Sequence, residues 1–146
     1  MLSNTTILYL DDDPDDLEFF KEVTDDMEIP SVLFNDSDAL MSRMQNQQLN
    51  SPMIFLDLNM PKRSGYEIIS QLRQSGFTNT PIIVYSTATV DTVVTHCRKL
   101  GANLYIPKVT SYRALRKVLE FALSIDWDNY VTDKSNFFYG RKPGRL

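Results

Sequence analysis

Ile7-Leu8-Tyr9-Leu10-Asp11-Asp12-Asp13-Pro14 joins four apolar or aromatic residues to three successive acids and a proline. An apolar run of that length has the size of a buried strand. The acids end it, and proline suits the first position of a helix, where its missing N–H would have no partner anyway. Leu17, Phe20, Val23 and Met27 then follow at helical spacing, so the stretch reads as strand, acidic turn and helix.

The same unit recurs outward along the chain. Ser31-Val32-Leu33-Phe34 reads as a second strand, followed by a helix from Ser37 to Gln48 on the strength of Leu40 and Met44. Met53-Ile54-Phe55-Leu56 is a third strand. The loop Asn59-Met60-Pro61-Lys62-Arg63-Ser64-Gly65 leads into a helix bearing Ile68, Ile69 and Leu72, closed near Gly76. Pro81-Ile82-Ile83-Val84-Tyr85 is a fourth strand. Val93, Val94, Cys97 and Leu100 mark a helix ended by Gly101, where a left-handed residue is wanted. Leu104-Tyr105-Ile106 is a fifth strand, and Leu115, Val118, Leu119, Ala122 and Leu123 form one stripe of a last helix. Five strand–helix units in succession predict an α/β fold with a parallel sheet covered on both faces, and the nearly all-apolar strands fit that burial. Residues 1–125 are expected to form this domain. Residues 126–146, with Trp127, Tyr130, Phe137, Phe138 and Tyr139 and then Arg141, Lys142 and Arg145, break the pattern. They are expected to be a tail that packs on the body at first and frays at its end.

Composition narrows the function. The chain has 146 residues, 42% of them hydrophobic, which suits one core and argues against disorder. No apolar run approaches the ~20 residues of a membrane span, and the N-terminus lacks the pattern of a secretory signal. The single cysteine, Cys97, excludes an internal disulfide framework, and the expected compartment is the cytoplasm. Net charge is −4, but ten of the nineteen acids lie between Asp11 and Glu28, opposed only by Lys21. A dominant basic face is missing, so no direct nucleic-acid partner is expected, and no membrane partner either. Within that acidic segment, Asp13, Asp15, Asp16, Glu18, Asp25, Asp26 and Glu28 are expected to face water.

In an open α/β sheet, ligands bind at the carboxyl ends of the strands. Those ends carry Asp11 and Asp12, Asp57, Ser86 and Thr87, and Pro107 with Lys108. Three carboxylates a few ångströms apart repel, and a proton or a cation must relieve them. A hard divalent ion with oxygen ligands fits, Mg²⁺ above all, because it takes one or two carboxylates and a phosphate while keeping waters. Asp57 can then act as a nucleophile toward phosphorus, forming an aspartyl phosphate whose oxygens Mg²⁺, Lys108 and the Ser86 hydroxyl would share.

Leu10-Asp11-Asp12-Asp13-Pro14, Leu56-Asp57-Leu58-Asn59-Met60-Pro61 with Ser64-Gly65, Tyr85-Ser86-Thr87 and Tyr105-Ile106-Pro107-Lys108 together resemble the response-regulator receiver domains of two-component signalling. The resemblance covers residues 5–125. It implies a doubly wound, flavodoxin-like sheet of order 2-1-3-4-5 in a three-layer α/β/α arrangement. It also implies phosphorylation of Asp57 by a histidine kinase or a histidine phosphotransfer protein, with slow self-catalysed hydrolysis. The metal ligands it implies are Asp12 directly, Asp11 largely through water, the Asp57 carboxylate and the backbone carbonyl of Asn59. Lys108 corresponds to the family's lysine, Ser86 to its hydroxyl switch and Tyr105 to its switch aromatic, whose ring turns inward when Ser86 meets the phosphoryl group. The face made by the fourth helix, fifth strand and fifth helix is then where a downstream protein or a second copy would bind. A stand-alone receiver with no effector domain is expected, because an ordinary DNA-binding domain would need about 60–100 further residues.

Two departures have physical consequences. Val109 follows the lysine where the family usually places a proline after a cis bond; a cis bond before a non-proline costs about 3 kcal/mol, so trans is expected. Pro107 cannot donate to a central ladder, which fits a fifth strand at the sheet edge. The competing readings are a phosphorylation-independent docking module and, further off, a small-molecule phosphatase or a flavin protein. Asn59 cannot transfer protons as the carboxylate of such phosphatases does, and acids after the first strand would repel a flavin phosphate. His96 has no ligand-type partner at metal spacing and is expected to be a structural or surface residue, and Cys97 lies on an apolar stripe and is expected in the core. Ala88, two positions beyond Ser86, offers nothing to position water, so a long-lived phosphoryl group is expected.

Overall fold

The strand–helix alternation read from the sequence folds as five βα units. The computed structural model describes residues 4–46 and 48–140. In chain order these are β1 (Thr6–Leu10), α1 (Pro14–Asp26), β2 (Ser31–Phe34), α2 (Ser37–Asn46), β3 (Pro52–Leu56), α3 (Gly65–Gln74), β4 (Ile82–Ser86), α4 (Asp91–Leu100), β5 (Leu104–Pro107) and α5 (Tyr112–Ser124). All strands are parallel, in the order β2-β1-β3-β4-β5. Several expected boundaries shift: β1 starts at Thr6 and β3 at Pro52, α2 ends at Asn46 rather than Gln48, Pro81 precedes β4, which runs on to Ser86, and β5 extends to Pro107. None of the described helices is long and apolar enough to cross a membrane.

Alternation along each strand sorts side chains between two cores. Ile7 and Tyr9, Met53 and Phe55, Ile83 and Tyr85, and Leu104 and Ile106 pack against Phe20 and Val23 of α1 and Leu115, Val118, Leu119 and Ala122 of α5. The intervening Leu8, Leu10, Ile54, Leu56, Ile82, Val84 and Tyr105 pack against α2, α3 and α4, where Cys97 is buried as expected. This parity decides where the polar residues beyond each strand end will point.

Local chemistry fixes the helix starts and stops. Pro14 opens α1 behind Asp13, whose carboxylate accepts from the Asp15 amide. Ser64 and Glu67 form a reciprocal capping box on α3. Gly65 is needed there, because a Cβ would lie 2.7 Å from the Leu58 Cα. Gly101 ends α4 at φ 112°, the left-handed stop its position predicts.

Arg73 ties two loops together at the amino-terminal edge of the sheet. Its guanidinium donates to the carbonyls of Phe77 (2.6 Å), Thr80 (2.8 Å) and Gly101 (2.8 and 3.1 Å) and to Asn103 Oδ1 (2.8 Å). A lysine has three donors on a single nitrogen and cannot span this fork. Arg73→Lys is therefore expected to lose at least two of these bonds and about 2 kcal/mol of stability in urea unfolding. The carboxyl ends of the strands should be undisturbed, since the loops lie at the far end of the sheet; a stability loss below a few tenths of a kcal/mol would contradict the clamp.

After α5 the chain does not leave the body. Trp127 Nε1 donates to the Ala122 carbonyl, Thr132 Oγ1 to the Asn103 carbonyl, and residues 133–136 form a turn tied by Asp133 and Asn136. The segment then meets the outer side of β5. The Tyr105 amide donates to the Phe137 carbonyl and the Tyr139 amide to the Tyr105 carbonyl, each at 2.8 Å, as a parallel bridge between Tyr105 and Phe138. So β5 is the last strand of the sheet, as Pro107 suggested, but its outer edge is paired at Tyr105. The expected packing of the first part of the tail is present; the expected frayed end, residues 141–146, lies outside the described residues.

Candidate functional site

In-register parallel strands bring distant residues to one rim. Leu10 is paired with both Phe34 and Leu56, so Asp11 and Asp57 emerge side by side; the Asp57 amide donates to the Leu10 carbonyl at 3.0 Å. Ser86 is level with Pro107, and the Lys108 amide donates to the Ser86 carbonyl at 2.9 Å. Strand parity then sorts the side chains. Asp11 continues the series Ile7, Tyr9; Asp57 continues Met53, Phe55; and Lys108 continues Leu104, Ile106. All three belong to the α1/α5 side of the sheet, whereas Ser86 and Tyr105 belong to the α4 side.

Lys108 joins the carboxylates. Its Nζ lies 2.7 Å from Asp11 Oδ2, 3.2 Å from Asp57 Oδ2 and 2.7 Å from Asp16 Oδ2, which occupies all three ammonium donors. Asp11 is fully buried and Asp57 nearly so. One carboxylate oxygen each of Asp11, Asp12 and Asp57 lies within 4.8 Å of the others. The Asp12 side chain is exposed and takes no hydrogen bond or ion pair among the described residues, so it is free to take a ligand. This is a carboxylate cluster fit for a divalent cation: oxygen donors only, mixed buried and solvent-facing, and carrying more negative charge than one ammonium offsets.

Burial and charge pull the two buried acids apart. Burial alone would raise the Asp11 carboxyl, but hydrogen bonds from Lys108, from Tyr9 and from the Asp13 amide hold it below the usual carboxylate range. For Asp57, burial pushes the carboxyl up to about 6; Lys108 pulls it down and the Asp11 charge pushes it up again. Burial works against the Lys108 ammonium too, yet its carboxylate partners hold it above the ordinary lysine value. At neutral pH the rim thus holds ionised Asp11, ionised Asp57 and a charged lysine.

The other expected residues fall around this centre. Ser86 is fully buried; its Oγ accepts from the Ala88 amide at 3.3 Å and its hydroxyl meets the Tyr105 phenol. Thr87 stands exposed beside it, with no hydrogen bond among the described residues. The Asn59 amide is 3.5 Å from Asp57 Oδ1, and among the described residues no protein group donates to the Asn59 carbonyl. Tyr105 is fully buried, with its hydroxyl donating to the Ala88 carbonyl at 2.6 Å. The Lys108–Val109 bond is trans, as expected for a non-proline. His96 is exposed on α4 and packs its ring on Tyr66, centroids 4.5 Å apart, a structural or surface residue as expected.

Two members of the site escape a reading of the sequence. Asp16 was grouped with the water-facing acids; the first turns of α1 instead turn it toward Lys108, although its side chain stays partly exposed. Tyr9 donates its hydroxyl to Asp11 Oδ2, and burial together with that carboxylate keeps the phenol protonated far above its ordinary range. The signal for Tyr9 was present in the two-residue spacing, which puts it on the same face of β1 as Asp11.

The chain matches the response regulator receiver domain family over residues 7–120. It is 29% identical over 122 residues to the response regulator Rcp1 of Synechocystis sp., covering 78% of this chain and 83% of that protein. It is 28% identical over 123 residues to the chemotaxis protein CheV1 of Helicobacter pylori, where the match covers 82% of this chain but only 38% of the relative. Among solved structures, CheY4 of Vibrio cholerae superposes with a TM-score of 0.72 at 22% identity, over 82% of this chain and 98% of that one. The Mn²⁺-bound form of Rcp1 does so with 0.70 at 23% identity, over 88% and 98%. At these identities the structural neighbours speak to the fold, a receiver-type sheet of order 2-1-3-4-5. With the family matched over most of its length and the carboxylates gathered at the family's strand ends, this chain belongs to the response regulator receiver domains of two-component signalling.

Proposed function

We propose that Asp57 accepts a phosphoryl group from a phosphohistidine and that the resulting aspartyl phosphate switches the protein's surface for a downstream partner. The observation that carries this reading is the meeting of Asp11, Asp57 and Lys108 from three strands, with Asp12 beside them. An Asp57 carboxylate oxygen attacks phosphorus; the new O–P bond forms as the P–N bond to the donor imidazole breaks, and that imidazole leaves with the bond's electrons and takes up a proton. A divalent cation, Mg²⁺ in this reading, supplies charge neutralisation for the phosphoryl oxygens when bound. Asp11 and Asp12 would hold it, with Asp57 and the Asn59 carbonyl completing the protein's share. Lys108, already at Asp57 Oδ2, would take one phosphoryl oxygen, and the Ser86 hydroxyl, on leaving the Tyr105 phenol, another.

Residues 1–125 are the receiver in this reading and 126–146 its tail rather than an effector. The donor is a histidine kinase or histidine phosphotransfer protein. Thr87, exposed and unbonded, is assigned a lesser part, at most a contact to the phosphoryl group from the β4 end.

Incubation with acetyl phosphate and Mg²⁺ is expected to add one phosphoryl mass that maps to the peptide containing Asp57 and is prevented by EDTA. An unchanged mass in Mg²⁺ would overturn the assignment and favour a docking module that works without phosphate. Label on a different peptide would overturn the choice of acceptor.

A further inference from the structure

Tyr105 is held from two sides. Outside β5, Phe138 stacks on its ring with centroids 5.6 Å apart and planes within 11°, and Phe137 meets the ring edge at 6.2 Å. The backbone N–H and C=O of Tyr105 are both taken by the tail, through the Phe137 carbonyl and the Tyr139 amide. Phe137 is nearly fully buried among the residues packed under α4, while Tyr139 crosses to the opposite face and packs on Phe121 of α5. Residues 137–139 thus fill the groove between α4 and α5 along β5.

Inward, the same tyrosine reaches the phosphoryl-acceptor rim. Its hydroxyl donates to the Ala88 carbonyl, and the Ala88 amide donates to Ser86 Oγ. Ala88 is therefore fixed through both its amide and its carbonyl, and the Ser86 hydroxyl that it meets also touches the Tyr105 phenol. An outward swing of the Tyr105 ring would break the bond to Ala88 and collide with Phe138, which now occupies that side. The aromatic tail and the Ser86 hydroxyl thus meet on one side chain, Tyr105.

We propose that Phe137 and Phe138 are positioning residues that act through Tyr105, so that docking of residues 137–139 on β5 and phosphoryl occupancy at Asp57 favour one another. The proposal rests on Asp57 being the phosphoryl acceptor. Coupling of this kind is reciprocal: whatever factor the docked tail adds to phosphoryl-group affinity, occupancy at Asp57 adds to tail docking. The tail is then more than a cover over an exposed strand edge. It sets how readily the site closes, and a partner that binds the α4-β5-α5 face must compete with it.

The test uses the full chain with Mg²⁺ and beryllofluoride as the phosphoryl probe. In the wild type, saturating probe is expected to slow hydrogen exchange at the Tyr105 and Tyr139 amides about tenfold, in the lower part of the usual coupling range. In Phe138→Ala, apparent probe affinity is expected to fall by a similar factor while the Mg²⁺ affinity measured without probe stays unchanged, which a merely structural loss would not produce. Wild-type exchange needs no substitution and so decides the matter even if the variant unfolds. Equal exchange with and without probe, in a wild type that binds it, overturns the coupling alone. Faster exchange on binding reverses its sign and makes the tail an antagonist. A wild type that binds no beryllofluoride sinks both this inference and the acceptor role on which it stands.

Discussion

Asp57→Asn is expected to abolish phosphorylation and, in the same stroke, to stabilise the metal-free protein at neutral pH. The loss follows because a carboxamide is no nucleophile toward phosphorus; intact mass after acetyl phosphate and Mg²⁺ should show no added phosphoryl group. The gain follows from the environment of the wild-type acid. Asp57 is nearly buried and its carboxyl is pushed up to about 6, above the ordinary aspartate value. A carboxyl whose folded pKa lies above its unfolded pKa binds its proton more tightly when folded. Its favourable contribution is therefore complete at low pH and is lost as pH rises through about 6. Two units correspond to roughly 3 kcal/mol, so at pH 7.5 in chelator the variant should unfold about 2–3 kcal/mol later than wild type. The gap should shrink below pH 6 and close near pH 4, where wild-type Asp57 carries its proton. Added Mg²⁺ should narrow it from the other side, by stabilising the wild type more. Equal stability at pH 7.5, or a gap that ignores pH, would contradict the strain assigned to Asp57.

Lys108→Ala should do the reverse. Among the described residues the ammonium is the one cation at 2.7–3.2 Å from Asp11, Asp16 and Asp57, and its side chain is only 12% exposed. Removing it leaves two buried carboxylates facing each other without a counter-charge. Breaking a buried pair in this way costs about 3–5 kcal/mol when nothing replaces the lost charge. In chelator the variant should lose stability on that scale, with the Asp57 carboxyl driven further upward. In millimolar Mg²⁺ much of the loss should return, and the variant should bind the cation more tightly than wild type. Urea unfolding with EDTA and with Mg²⁺ separates the two conditions. A loss that is the same in both would mean that Lys108 supports packing and does not share its carboxylates with a metal.

The parallel sheet was legible in the sequence because strands buried on both faces leave unbroken apolar runs such as Ile82-Ile83-Val84 and Leu104-Tyr105-Ile106, whereas the strand order came only with the receiver resemblance. The site was legible because such sheets present their chemistry at strand ends, so Asp11, Asp57 and Lys108 could be brought together before any coordinate was known. Asp16 was not, for an acid in a run of acids carries no local mark of which one turns inward; only the docking of α1 against Lys108 distinguishes it. Tyr9 was read only as part of the first strand; its ring packs tilted on Phe20, with centroids 4.2 Å apart. The pairing of residues 137–139 with β5 was equally hidden. A ladder made by one bridged residue has no alternating pattern, and Phe137-Phe138-Tyr139 reads alike as core, tail or docking segment. What fixes it is the unpaired edge of β5, a property of the assembled sheet rather than of the tail.

The most direct measurement is a Mg²⁺ titration of the wild-type protein followed at backbone amides by NMR. A single saturable site is expected, with its shifts gathered at residues 10–13, 57–59, 86–88 and 108, and with saturation lost in Asp12→Ala. Shifts that never saturate, or that spread along α1 toward Asp25, Asp26 and Glu28 while Asp57 stays still, would contradict a cation centre at the sheet rim and with it the phosphoryl chemistry assigned there.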